Sequence, residues 1–349
     1  MNILVFNHGS SSLKCCIYQF KSAPTTYIPP YWEAHAPDVQ KLLASPPVKI
    51  DIIGHRIVHG GSHFHQSVLI DAKVKKAIAL CADLAPLHNT AAEKIIELCG
   101  KIPQVAVFDT AFHHTIPAAA ATYPGPYRWL EAGIRRYGFH GISFQYCSKR
   151  AAQLLQRDPK MVICHLGSGA SLCAVENGKS IDTTMGFTPL EGLMMDTRCG
   201  SIDPGILLYL LKKNPHIDLT QELYYNSGLL GLSGISEDMR DILKSSTPRA
   251  TLTLNVYLHR LVSCLGSMIT SLRGIDTLVF TAGIGEHAPL IRQRTCDALA
   301  FLGLKIDPHK NQSITEDGLF SSKDSAIQAL LIHTHEEFEI ARECWYLNS

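Results

Sequence analysis

Two stretches of this chain join an apolar run to a turn built of glycine and serine. The first is Val5-Phe6-Asn7-His8-Gly9-Ser10-Ser11-Ser12-Leu13-Lys14, and the second is Ile163-Cys164-His165-Leu166-Gly167-Ser168-Gly169-Ala170-Ser171-Leu172. A turn without bulky side chains lets backbone N–H groups and hydroxyls converge on one point, which suits a phosphate oxygen. Its occurrence twice predicts two halves that face each other across a nucleotide.

Other reactive residues also gather where apolar runs stop. In chain order they are His55-Arg56-Ile57-Val58-His59-Gly60-Gly61, Pro86-Leu87-His88-Asn89 and Phe108-Asp109-Thr110-Ala111-Phe112-His113. Tyr137-Gly138-Phe139-His140-Gly141, Met185 to Gly192, Asp196-Thr197-Arg198-Cys199-Gly200, Thr281 to Glu286 and Glu336-Glu337 complete the set. Taken singly, each has a plain explanation as a tight turn, a solvated arginine or a packed histidine. Taken jointly, two small-residue turns, two arginines, several histidines and isolated carboxylates all fall at predicted strand ends. Phosphoryl transfer needs that inventory: donors around phosphate oxygens, cations for the moving group and carboxylates for magnesium. Two arginines suit an anionic acceptor, because guanidinium matches carboxylate and phosphate geometry. Carboxylate attack on ATP needs such cover, since like charges about 4 Å apart repel by roughly 4 kcal/mol at an effective dielectric near 20. His59, His63 and His65 offer two metal ligands at most from alternate strand positions, and with no Cys or Asp partner they read as surface or packing residues.

The elements that must carry these residues alternate in the α/β manner. Strands are predicted over 2–6 and 15–20, as a hairpin around the first turn, and over 50–53, 105–108, 161–165 and 277–280. Helices are predicted from about 90 to 98, stopped by Gly100, and from about 252 to 272, closed by Gly274. The prolines of 22–47 rule out regular strand interiors there and predict a loop excursion. Residues 117–126 read as a surface connection near a domain junction.

The bulk properties exclude several classes. A chain of 349 residues holds two ordinary domains, and 46% hydrophobic with 18% charged residues is a globular composition. A net charge of +1 gives no field for nucleic acid. The apolar stretch 261–272 is too short and too interrupted to span a membrane, and no leader segment is predicted. The 11 cysteines are scattered without a C-x-x-C pair, so they read as reduced core residues of a cytoplasmic protein. Neither a P-loop nor an opening G-x-G-x-x-G is present, which argues against P-loop NTPases and dinucleotide oxidoreductases.

The motifs, in their order along nearly the whole chain, resemble those of the acetate kinase family. The resemblance implies two duplicated actin-like, ribonuclease H-like α/β domains with a nucleotide cleft between them, divided as 1–110 plus 336–349 and 111–335. It implies reversible transfer of the ATP γ-phosphate to acetate, giving acetyl phosphate and ADP, with Mg²⁺ (Mn²⁺ as a substitute) and a homodimeric assembly. By the same resemblance Arg56, Asp109, His140 and Arg198 are catalytic, His140 and Arg198 stabilising the transition state. Val58, Leu87, Phe139 and Pro189, with Arg56, hold the acid. Lys14, Ser10, Ser12, His165, Gly167, Ser168, Gly169, Asp238, Met239, Arg240, Gly283, Ile284 and Gly285 hold ATP, and Asn7 and Glu336 the metal.

The chain departs from the family pattern at Ser168 (commonly Asn), Asp196 (Gly), Ser201 (Asp), His335 (Asn) and Met239 (aromatic), and its stretch between Lys14 and Arg56 is short. Propionate or butyrate kinase activity is one alternative. A catalytically silent nucleotide-binding relative, for which Asp196 and Ser201 speak, is another. A zinc hydrolase fails for want of a ligand constellation.

Overall fold

The structure, a computed structural model, describes residues 1–8, 13–81 and 86–348, the side chains of 86–88 apart. The chain forms two compact units. The first comprises 1–115, 139–146 and the segment from His335 onward, the second 116–138 and 147–334.

The first unit is built on a six-stranded sheet: β1 (Asn2–His8), β2 (Leu13–Gln19), β3 (Trp32–His35), β4 (Ile52–Ile57), β5 (Val68–Leu69) and β6 (Gln104–Phe108), in the order β3-β2-β1-β4-β6-β5. β1, β4 and β6 run parallel, and β2, β3 and β5 are antiparallel to their neighbours. Parallel strands covered on both faces read as continuous apolar runs, and β6, Gln-Val-Ala-Val-Phe, is buried throughout. One face carries two hydrophobic clusters. Leu4, Phe6, Ile17 and Ile53 pack with Leu42 and Ile95; Ile57, Ala106 and Phe108 pack with Ile78 and Ile96. The helix Glu336–Asn348 packs on β1 and β4. Its approach depends on Gly54 of β4, where a Cβ would stand 2.6 Å from Ile340 Cγ2 and 2.7 Å from Cys344 Sγ.

The second unit repeats this topology strand for strand. β7 (Met161–Leu166), β8 (Ala170–Glu176), β9 (Lys179–Thr183), β10 (Thr277–Thr281), β11 (Gly318–Leu319) and β12 (Gln328–Leu331) stand in the order β11-β12-β10-β7-β8-β9. β7 corresponds to β1, β10 to β4 and β12 to β6, and every pairing keeps its sense. The helix Pro248–Leu272 covers β8, burying Tyr257, Leu258, Leu261 and Leu265.

Several expected elements need correction. β4 begins at Ile52 and runs on to Ile57, so Arg56 lies within the strand and not beyond it. The predicted loop 22–47 contains the edge strand β3 and the short helix Val39–Ala44, capped by Asp38. An edge strand escapes the proline argument because Pro29 and Pro30 precede it. The helix predicted from residue 90 begins at Pro86, a favoured first-turn position for proline. The long helix begins at Pro248 with Thr247 as cap, and it ends with Arg273, not glycine, in the left-handed conformation.

Gly54→Ala should destabilise the first unit by about 1–3 kcal/mol through overpacking. Cys344→Ala in the same chain should recover part of the loss. Urea unfolding checks both: an unchanged midpoint in Gly54→Ala would refute the close approach.

Candidate active site

In the first unit the functional side chains meet at the carboxyl ends of the parallel strands, where an open α/β sheet binds ligands. Arg56 leaves the end of β4 and forks onto Asp109, just past β6: Nε donates to Oδ1 and Oδ2 at 3.1 Å, and Nη2 to Oδ2 at 2.6 Å. Its Nη1 donates to Asn7 Oδ1 at 3.1 Å and stands 3.4 Å from Glu336 Oε2. Asn7 Nδ2 donates to Glu336 Oε2 (3.1 Å) and Glu337 Oε1 (2.8 Å), and Lys14 Nζ lies 3.4 Å from Glu337 Oε2. Asn7 and Lys14 face each other across the β1–β2 hairpin, so the register delivers both to one place.

Burial sets the electrostatics. Burial alone would lower the Arg56 pKa, but the Asp109 and Glu336 carboxylates overturn that and raise it. Burial pushes the Asp109 carboxyl up, to about 6, while Arg56 pulls it down. The Asp109 side chain is 1% exposed, so its charge at neutral pH depends on that guanidinium. Asp109 also accepts the backbone N–H of His140, and Gly141 N–H donates to the Asp109 carbonyl at 2.9 Å. His140 sits at φ 58°, a strained value for a side-chain-bearing residue. A Cβ at Gly141 would stand 2.1 Å from the Asp109 carbonyl oxygen, so only glycine allows this approach. Phe139 is buried, with the His59 ring edge-on at 5.5 Å and His113 Nε2 within 3.0 Å of its carbonyl. Val58 is buried as well.

The donor set of Asn7, Glu336 and Glu337 fits a hard divalent cation. Glu336 and Glu337 supply carboxylate oxygens, Asn7 turns its Nδ2 to them and its Oδ1 to Arg56, and with Asp109 three carboxylates face two cations, Arg56 and Lys14. Among the described residues no group of three or more His, Cys, Asp and Glu forms a metal cluster. Substrate phosphates would therefore have to complete the coordination.

The second unit assembles the other set. Gly167 N–H donates to the Gly169 carbonyl at 3.1 Å, which closes the turn between β7 and β8. Thr281 pairs with His165, so the segment from Ala282 onward starts beside that turn. Gly283, Ile284 and Gly285 lie in the short helix Ala282–His287, and a Cβ at Gly283 would meet nothing within 4 Å. Ala282 N–H and Thr334 N–H both donate to Glu286 Oε1, at 2.8 and 3.2 Å. Asp196 N–H donates to the Ser168 carbonyl at 3.3 Å, tying the Arg198 segment to the turn. Burial raises the Asp196 pKa to about 6; the Ser168 side chain opposes this, and Glu237 and Asp238 add to it. Asp238 caps the helix Met239–Lys244 and pairs with an exposed Arg240, while Met239 is buried. Arg198 Nη1 donates to the Pro189 carbonyl at 3.0 Å.

Two sets of predicted residues are thus gathered, one per unit. Asn7, Lys14, Arg56, Asp109, His140 and Glu336 form the first; Gly167–Gly169, Arg198, Asp238–Arg240 and Gly283–Gly285 form the second. Ser10 and Ser12 lie outside the described residues, as does the side chain of Leu87. Glu337, which binds Asn7 and Lys14, and Glu191 both lie in stretches singled out from the sequence, but neither carried a role there. Sequence reasoning left out Tyr123 and Arg136, which with Glu191 hold the segment before Pro189.

The model of the Acetokinase family matches residues 34–342. An acetate kinase of Nostoc punctiforme is 48% identical over 99% of both chains. That alignment runs to 402 positions, so the relative carries residues that this chain lacks. The crystal structure of a propionate kinase from Francisella tularensis is similar at 38% identity with a TM-score of 0.88, covering 98% of each chain. That of the Porphyromonas gingivalis acetate kinase is similar at 32% identity with a TM-score of 0.89 and full coverage of both.

Arg56→Gln should cost about 3 kcal/mol or more at neutral pH, because Asp109 is left buried without its counter-charge. The deficit should grow with pH. A carboxyl whose folded pKa exceeds its unfolded value makes stability fall as pH rises through that window, from 3.8 to about 6 in the wild type. The variant, having lost the pull of Arg56, extends the window upward. Urea unfolding at pH 5 and 7.5 checks this, and equal deficits at the two pH values would refute it.

Proposed function

The chain belongs to the acetokinase family and shares its actin-like α/β fold, and on that premise we propose that it is a kinase that transfers the γ-phosphoryl group of ATP reversibly to acetate, giving acetyl phosphate and ADP. The observation that carries the reading within the fold is the partly buried Arg56, forked onto Asp109 and flanked by Asn7 and Glu336. Such a guanidinium offers a fixed positive charge to an incoming carboxylate and does not need to reorganise when the reaction occurs.

The transfer is direct and in line. Acetate needs no covalent help from the protein, since its carboxylate attacks once it is aligned and its charge is offset. Arg56 offsets that charge, and Asp109 fixes the orientation of Arg56. His140, whose N–H is bonded to the Asp109 carboxylate, donates to the equatorial oxygens of the transferring group. Arg198 supplies the second guanidinium. Asn7, Ser10, Ser12 and Lys14, and the second turn with His165, Gly167, Ser168 and Gly169, bind phosphate oxygens. Asp238, Met239, Arg240 and Gly283 to Gly285 hold the nucleoside end. Magnesium, with manganese as a substitute, would be held by Asn7 and Glu336 with Glu337, and when bound it neutralises charge on the β- and γ-phosphates.

The family pattern assigns the methyl pocket to Val58, Leu87, Phe139 and Pro189. An apolar pocket separates acids one methylene apart by only about 1–3 kcal/mol, so propionate should be a weaker alternative substrate. The similarity to a propionate kinase at 38% identity supports testing it. We place the reaction in the cytoplasm, a reading supported by 11 cysteines that are all free thiols. No helix among the described residues is long and apolar enough to cross a membrane.

A homodimer has support in the helix Pro204–Lys213, which Asp203 caps. Its residues Ile206 to Leu211 are all apolar or aromatic, yet none is buried; Leu208 is 71% and Tyr209 59% exposed. An exposed apolar helix of this kind suits an interface between two copies of the chain.

Trapping with hydroxylamine should show acetyl hydroxamate formed from acetate, ATP and Mg²⁺. Arg198→Ala should lower turnover by about 3 kcal/mol in activation free energy, or roughly two powers of ten. No product above background from acetate, propionate or butyrate would end the assignment. As to assembly, Leu208→Arg should yield a monomer by light scattering after size exclusion, with the unfolding midpoint of the protomer retained. An intact dimer would exclude that helix from the interface.

A further inference from the structure

Three side chains outside both phosphate turns converge on the segment that leads to Arg198. Arg136 Nη1 donates to three successive carbonyls, Thr183 (3.0 Å), Thr184 (3.1 Å) and Met185 (3.1 Å), and Nη2 pairs with Glu191 Oε1 at 2.8 Å. The Tyr123 hydroxyl donates to the other oxygen of Glu191 and accepts the Phe187 N–H at 2.9 Å. The Arg136 guanidinium also lies over the Tyr123 ring, 5.6 Å from its centroid. Gly186 completes the arrangement: its carbonyl accepts from Tyr137 N–H and Gly138 N–H, at 3.0 and 3.2 Å. A Cβ at that position would stand 1.7 Å from Glu191 Oε2 and 1.9 Å from the Tyr123 hydroxyl.

This is more bonding than a loop needs merely to stay folded. Residues 183 to 187 and 191 are gripped from one side, and between them Pro189 presents its carbonyl to Arg198 Nη1 at 3.0 Å. We propose that Arg136, Tyr123 and Glu191 are positioning residues, which fix the 183–191 segment so that the Pro189 carbonyl holds the Arg198 guanidinium in its working orientation. The inference rests on the role given to Arg198 above. Burial and Glu191 both raise the phenol pKa of Tyr123, so the hydroxyl keeps its proton and always donates to Glu191. Arg136 is not interchangeable with lysine, because one ammonium cannot span three carbonyls and a carboxylate at once. Acting through Arg198, the clamp bears on acid turnover and not on nucleotide affinity.

The test uses the full chain as wild type, Tyr123→Phe, Glu191→Gln, Arg136→Lys, Arg198→Ala and the double variant Tyr123→Phe with Arg198→Ala. Steady-state turnover with acetate and ATP is measured by coupled ADP release, ATP affinity by calorimetry and the unfolding midpoint by thermal denaturation. Tyr123→Phe and Arg136→Lys should lower kcat/KM for acetate tenfold or more, with ATP affinity within twofold. Adding Tyr123→Phe to Arg198→Ala should change turnover less than twofold, since the clamp acts through Arg198; a merely structural role would give the same loss in both backgrounds. Glu191→Gln, which keeps the shape of the carboxylate, stands in where either of the other variants fails to fold. Turnover by Tyr123→Phe within twofold of wild type, or equal losses in both backgrounds, overturns the clamp. Unchanged turnover in Arg198→Ala overturns the role of Arg198 itself, and the clamp falls with it.

Discussion

A guanidinium that is 12% exposed at the end of a sheet must have counter-charge close by, because the cost of leaving an ion unpaired away from water is several kcal/mol. Arg56 is in that position, and much of the first unit is arranged around meeting its requirement. Asp109 comes from the neighbouring parallel strand, Asn7 from the strand on the other side, and Glu336 from a helix nearly three hundred residues away in sequence. The helix reaches β4 only because Gly54 has no side chain. The same contacts that keep the charge stable also hold it still, and a charge held still is what a carboxylate nucleophile needs from its partner. In the proposed mechanism stability and catalysis therefore draw on one set of bonds, and weakening the packing of the C-terminal helix should weaken both.

The second unit has the same strand order but handles polarity differently. Its loops are tied down by arginines that collect backbone carbonyls. Arg292, 1% exposed, donates from Nη1 to the carbonyls of Gly285 and Glu286 and from Nη2 and Nε to Asn311. Burial lowers its pKa to about 10, which leaves it charged at neutral pH. Arg136 does the same for Thr183 to Met185. Carbonyls at the ends of helices and strands lack partners within their own element, and a buried guanidinium with five donors can satisfy several of them together. The segment after β10 thus rests on neutral acceptors, whereas Arg56 in the first unit rests on carboxylates.

The strand-end logic made Arg56, Asp109, His140, the second turn and Thr281 to Glu286 legible from sequence, because each follows an apolar run within a few residues. The duplication was also visible, as a repeated turn, although only the matching pairing of all twelve strands establishes it. What escaped was imported from a distance. Tyr123 and Arg136 carry no local pattern, and their meaning comes from contacts with Glu191, 55 to 68 residues away in sequence. Glu337 was singled out with Glu336 but given no role of its own, since two adjacent acids at a helix start look alike until the helix is oriented. Boundaries failed where a rule had two outcomes. Prolines in 22–47 exclude a central strand but permit the edge strand β3, and Gly274 marked a helix end that Arg273 forms in the left-handed conformation.

The positions that depart from the family pattern bear on whether the site works. Asp196 beside Arg198 looks like a charge set against a needed cation, but Asp196 interacts first with Ser168: its side chain with the Ser168 side chain, its N–H with the Ser168 carbonyl. Two of the departures therefore meet each other, and the carboxylate is taken up by the turn before Arg198 is involved. Ser201 is likewise occupied, its hydroxyl accepting the Gly192 N–H at 3.0 Å, next to the Glu191 that Arg136 and Tyr123 hold. His335 stacks on Tyr27 with 3.6 Å between ring centroids, at the start of the helix that brings Glu336 and Glu337 to Asn7. Decay of a site leaves unsatisfied groups behind, and these substitutions have partners. Asp196 and Ser201 are thus accommodated locally, which takes away the support they gave to a silent nucleotide-binding relative.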